Sequence, residues 1–160
     1  MMYKDQLEII NENQASPPVQ TVPIAKGLGL KVFKSTTDAW PDALSGMIKR
    51  SSDDLSQYSI YVNGNHHVHR RRFTIAHEIS HFILHKNLIG DGITDDVLYR
   101  SGLSSRVEAQ ANSLAADILM PWRLIREQLS GGIDNIEELA MKFRVSKSAM
   151  AIRLGVPYEK

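Results

Sequence analysis

The segment Arg70–His85, RRRFTIAHEISHFILH, is the strongest constraint on how this chain can fold. Placed on a helix, Phe73, Ile75, Ala76, Ile79, Phe82, Ile83 and Leu84 spread over most of the circumference, so the helix must sit inside the molecule with other elements around it. Polar side chains carried into such a place need partners. His77 and His81, four residues apart, lie only about 40° apart around the axis, so both imidazoles can reach one ion. Glu78 stands about 100° round from His77, beside that ion without covering it.

The pattern H-E-x-x-H therefore predicts a zinc site, one ion per chain, with His77 and His81 as ligands. Zinc held by three protein ligands keeps a fourth position for water, and a neighbouring carboxylate can take the proton of that water. Glu78 is the expected general base, able to pass the proton on to a leaving amine. Two histidines leave the ligand set one short. The stretch SSRVEAQANSLAADILMP supplies the missing donor on a second helix, expected from near Ser105 to just before Pro121. On it Glu108, Ala111, Asn112, Ala115 and Ala116 share one side, and the alanines allow a close approach to the first helix. Ser105-Arg106-Val107-Glu108 is also a capping-box pattern, in which Glu108 would turn back on its own helix terminus. Paired with H-E-x-x-H, Glu108 reads as the third ligand. Asn112, one turn on, is placed to hydrogen-bond a ligand histidine and fix its tautomer.

At 160 residues the chain is large enough to fold without a metal or disulfide, so any metal is there for chemistry. It contains no Cys, which excludes disulfides, a thiolate nucleophile and a Cys-type zinc site and suits the cytoplasm. No apolar leader or membrane-length run is visible, so no membrane association is expected. Nineteen basic and eighteen acidic side chains give a net charge of +1, far from the balance of a protein held on nucleic acid by charge alone.

Residues 1–23, polar and then Pro-rich, read as an N-terminal arm, 24–130 as the core, and 131–160 as a C-terminal segment packed on it. IAKGLGLKVF suggests a short helix broken by Gly27 and Gly29 and running into a strand. SGMIKR and YSIYVN read as two strands, so a small antiparallel sheet precedes the histidine helix. The fold class expected is α+β, with that sheet packed on the histidine helix and further helices. The polar segment 86–103 is expected to border the cleft and receive substrate backbone, with Tyr99 a candidate to steady an oxyanion. His66, His67 and His69 read as a solvated loop, and His85 as a structural residue, with a supporting place beside the site as the alternative.

NIEELAMKFRVSKSAMAIRLG reads as two helices, with an apolar stripe through Ile136, Leu139, Ala140 and Phe143, and Ser146 capping the second. With Lys142, Arg144, Lys147 and Arg153 it resembles a helix-turn-helix DNA reader. With net charge near zero, a packing module that helps hold substrate is the preferred reading, with Arg144, Lys147 and Arg153 as candidate contacts to substrate or DNA.

RFTIAHEISHFILH, followed by E-x-x-A-N-x-x-A-A-x-I-L-M-P, resembles the ImmA/IrrE family of zinc metallopeptidases, and the likeness extends over roughly Ile24 to Gly155. The resemblance implies a compact gluzincin-like domain with metal ligands His77, His81 and Glu108 and general base Glu78. It also implies a protein substrate, a helix-turn-helix repressor whose cutting turns on phage, mobile-element or stress genes. One departure is visible, Gln110 where many relatives carry a second Glu. The expectation is thus a cytoplasmic zinc endopeptidase acting on such a repressor. The alternatives are a regulator that grips DNA or a repressor without cutting it, and a component of a toxin–antitoxin pair.

Overall fold

The computed structural model describes residues 3–35, 40–89, 93–94 and 104–157. Along the chain run α1 (Lys4–Glu12), α2 (Thr21–Gly27), β1 (Lys31–Lys34), β2 (Gly46–Arg50), β3 (Tyr58–Val62), α3 (Val68–Leu84), β4 (Ile93–Thr94), α4 (Ser104–Leu119), α5 (Trp122–Ser130), α6 (Ile136–Phe143) and α7 (Lys147–Leu154). The class is α+β, as the sequence predicts. The segment 86–103, with Tyr99, lies largely outside the described residues.

The strands form one sheet in the order β1-β3-β2-β4. The expected antiparallel pair is β2–β3, with Ile48 opposite Ile60, and β4 adds antiparallel to β2. The strand β1 departs from the expected arrangement, because it joins β3 in parallel, Val32 opposite Ile60 and Phe33 opposite Tyr61. Strand periodicity reports which face a side chain occupies, not the direction of the partner strand. Ile48, Ile60 and Val62 are buried in the core, where the Tyr58 ring meets Phe82 of α3 edge-on at 5.3 Å. Phe33 stacks on Tyr61 at 5.3 Å, with Phe33 largely exposed.

The helix α3 is buried continuously from Thr74 to Ile83, as its all-round apolar pattern demands. It starts at His67, whose Nδ1 accepts a hydrogen bond from the backbone N–H of His69 at 3.1 Å, so a residue read as a solvated loop histidine caps the central helix. On α4, Glu108, Ala111 and Ala115 recur at helical spacing, and both alanines are fully buried against the core. The helix α5 follows Pro121 and buries Leu124 and Ile125 on an apolar stripe too short to stand out in the sequence.

The C-terminal pair forms, its second helix capped by Ser146 as predicted and its first by Asn135. Asn135 Oδ1 accepts from the N–H of Glu138 at 2.8 Å, and Ser146 Oγ accepts from that of Ala149 at 3.0 Å. Leu139, Phe143, Val145 and Met150 are buried together. Buried Arg72 of α3 ties three parts of the chain: it donates to the carbonyls of Val19 at 2.8 Å, Phe143 at 3.4 Å and Arg144 at 3.2 Å, satisfying orphan acceptors at the end of α6. The stretch read as an N-terminal arm contains α1 and contributes Ile10 and Val19 to the core. Gln14 secures it by donating to the carbonyls of Asp117 and Ile118 on α4. Among the described residues no helix is long and apolar enough to cross a membrane.

Candidate metal centre

The helices α3 and α4 bring His77, His81 and Glu108 together, with one ligand-type atom of each lying within 4.8 Å of the others. His81 Nε2 is 2.9 Å from Glu108 Oε1 and 3.1 Å from His77 Nε2, and His77 Nε2 is 3.1 Å from Glu108 Oε2. Both oxygens of Glu108 thus face the histidines. His81 is fully buried, and His77 and Glu108 nearly so. Burial pushes the His81 pKa below that of a free imidazole, with the Glu108 hydrogen bond opposing it, so the ring is neutral near pH 7. Burial alone would raise the Glu108 pKa, but hydrogen bonds from His77 and His81 outweigh it and hold the carboxyl at about 2.

The donor set suits a divalent cation: two neutral imidazoles and one carboxylate are the chemistry zinc takes in catalytic sites. The outer nitrogens support this fit. A histidine can offer an inner lone pair only if its proton sits on the other nitrogen, where something must accept it. Asn112 Oδ1 stands 2.8 Å from His77 Nδ1, placed to accept that proton when Nε2 turns its lone pair to a cation instead of donating to Glu108. For His81 the group in that place is His85, whose place near the site the sequence allows but whose expected role is structural. His81 Nδ1 lies 3.0 Å from Nδ1 of buried His85, whose Nε2 lies 2.8 Å from Gln110 Oε1. The available signal was spacing, since His85 continues the four-residue step of His77 and His81.

Glu78 is buried and lines a cavity of about 220 Å³ together with His77, Glu108, Asn112, Ser45, Arg70, Phe73 and Thr74. Arg70, Phe73 and Thr74 reach it by helical spacing on α3, whereas Ser45 is brought there by the fold alone. The Arg70 guanidinium donates to Ser45 Oγ at 2.9 Å, linking the start of α3 to the entry of β2. Phe73 and Asn112 also line an apolar groove that runs past Ala116 to Ala149 and Ile152 of α7. Candidate contacts on the C-terminal pair sit less freely than their charge suggests. Arg153 donates to the Met120 carbonyl at 3.0 Å, pairs with Asp117 at 2.9 Å and lies over the Trp122 ring, and Lys147 pairs with Glu137. Arg144 holds the left-handed turn between the helices at φ 53° with its side chain exposed.

A family model described as the IrrE N-terminal-like domain, Peptidase_M78, matches residues 25–155. Among solved structures, a Mycobacterium tuberculosis transcriptional regulator is similar, with a TM-score of 0.61 and 16% sequence identity, over 99% of this chain and 49% of that one. The chain therefore spans about half the length of that regulator, and the likeness is one of fold. No curated protein matches it.

Proposed function

The chain belongs to the Peptidase_M78 family of IrrE N-terminal-like domains, and on that premise we propose that it is a zinc-dependent endopeptidase acting in the cytoplasm on a helix-turn-helix repressor. The observation that carries this reading is the convergence of His77, His81 and Glu108 beside a cavity that Glu78 also lines. His77, His81 and Glu108 are the proposed ligands. Bound there, zinc would supply a Lewis acid that acidifies water at its open position and polarises a substrate carbonyl. Glu78 accepts the proton of the attacking water at its carboxylate and returns it to the leaving amine. Asn112 keeps the His77 proton on the outer nitrogen. Substrate enters as extended backbone, since a compact cavity between α3, α4 and the entry to β2 has no room for folded structure. The groove from Phe73 to Ile152 supports a route for that segment towards the C-terminal helix pair, the surface we assign to docking the repressor.

The test pairs two measurements on the protein co-expressed with a candidate helix-turn-helix repressor. Parent protein should hold about one zinc per chain and cut that repressor once, with little action on casein. Glu78→Gln should keep its zinc while cleavage falls about 10²- to 10⁴-fold, the usual worth of a general base. Undiminished cleavage by Glu78→Gln would remove Glu78 from the role, and zinc retention without cleavage in the parent would leave a binding regulator as the reading.

A further inference from the structure

We propose that Gln110, acting through His85, is a positioning residue that sets which nitrogen of His81 carries the proton, and so tunes how readily the site takes a metal ion. The proposal rests on the metal reading of His77, His81 and Glu108. It begins from four groups in a line: Glu108 Oε1 is 2.9 Å from His81 Nε2, His81 Nδ1 is 3.0 Å from His85 Nδ1, and His85 Nε2 is 2.8 Å from Gln110 Oε1. A neutral imidazole has one donor and one acceptor nitrogen, and a nitrogen–nitrogen contact needs one proton between its atoms. The line therefore has two self-consistent directions. In the outward one, His81 Nδ1–H donates to His85 Nδ1, His85 Nε2–H donates to Gln110 Oε1, and the His81 Nε2 lone pair faces the site. In the inward one, the Gln110 amide N–H₂ donates to His85 Nε2, His85 Nδ1–H donates to His81 Nδ1, and His81 Nε2–H donates to Glu108.

Only the outward direction offers a ligand to a cation. The inward direction satisfies the metal-free site, because the Glu108 carboxylate then accepts the proton it faces. Gln110 can end the line either way, since half a turn of its amide exchanges acceptor for donor. A carboxylate at the same place accepts only, and would hold the line outward. The glutamine thus lets the site be comfortable both empty and loaded. Gln110 is itself exposed, whereas His85 and His81 are buried, so the line also connects a solvent-reachable amide to a ligand at the centre of the molecule.

The experiment uses the full chain labelled with ¹⁵N in its histidines. Ring nitrogen shifts report the tautomer of His81 and His85, and competition with a chelator gives the zinc affinity. In the parent, zinc should convert His81 to its Nδ1–H form, with His85 becoming Nε2–H. Gln110→Glu should move His81 towards Nδ1–H in the metal-free protein and tighten zinc binding. Gln110→Leu and His85→Phe should each weaken it, by about 10- to 100-fold, the range for partners of a ligand histidine. The double variant should lose little more than either alone, since both cut one line. Gln110→Glu rescues the argument from a folding artefact, because a merely structural loss would not produce a gain. The proposal falls if the ring shifts of His81 and His85 are the same in the parent, Gln110→Glu and Gln110→Leu. Because the metal-free spectra read the line directly, this outcome is separable from failure of the peptidase reading, which would appear as absent cleavage with the tautomer shifts intact.

Discussion

At Glu108 two opposing effects meet. Burial favours the neutral acid and the two histidines favour the anion, and the histidines prevail, leaving a folded-state pKa of about 2 against an ordinary 4.5. A carboxyl with a depressed pKa stabilises the fold above its unfolded value, and that contribution is lost as pH falls from 4.5 towards 2. The metal-free protein should therefore lose stability to acid across this window, and Glu108→Gln should flatten the loss. Urea midpoints at a series of pH values are the check, and parallel curves for parent and variant would assign the acid sensitivity elsewhere. H-E-x-x-H is legible by itself because four-residue spacing fixes relative direction on a helix. His85 and Gln110 are not, since their roles depend on which atoms oppose them across two elements.

Between elements, β2 lies close against α3 beside the site. A Cβ on Gly46 would lie 2.5 Å from Thr74 Cγ2 and 2.7 Å from the Tyr61 carbonyl oxygen. Both are closer than atoms pack, so glycine is what lets the strand lie against the helix. Gly46→Ala must push β2 off α3 or disturb its pairing with β3, at a cost of about 1–3 kcal/mol. Ser45, one residue before, lines the cavity, so the displacement should also reach the site. A lowered denaturant midpoint together with slower cleavage is the expected result, and an unchanged midpoint would mean that the strand has room to move. The all-round burial of α3 follows from its sequence. The parallel placement of β1 and the existence of α5 do not, because neither direction nor a nine-residue amphipathic stretch leaves a distinctive pattern.

At the scale of the whole molecule, the C-terminal pair is bound into the core from several sides. Arg72 holds the end of α6, and Arg153 spans to α4 and α5. Replacing Arg153 would therefore damage packing as well as charge, and a docking test is better made on Arg144 and Lys147. Changing both to Gln should leave zinc content and the thermal midpoint close to those of the parent while cleavage of the partner repressor falls several-fold. If the parent instead binds duplex DNA with an affinity that drops steeply with salt, and the double variant loses that affinity, the pair is a DNA reader.

Periodicity and spacing alone determined the central helix, its paired histidines with Glu78 between them, the capped C-terminal helices and the α+β class, because each is a local property of a few turns of chain. Asn112 was also within reach, lying one turn beyond a carboxylate. Only the tertiary structure decided that Glu108 faces His77 and His81 rather than its own helix end, that the stretch 1–23 contributes Ile10 and Val19 to the core, and that Arg153 turns inward. Glu108 had two chemically sound partners, one nearby in sequence and one far away, while Ile10, Val19 and Arg153 met partners far along the chain. Which partner a side chain meets depends on where packing brings the distant one, and no local pattern records that distance.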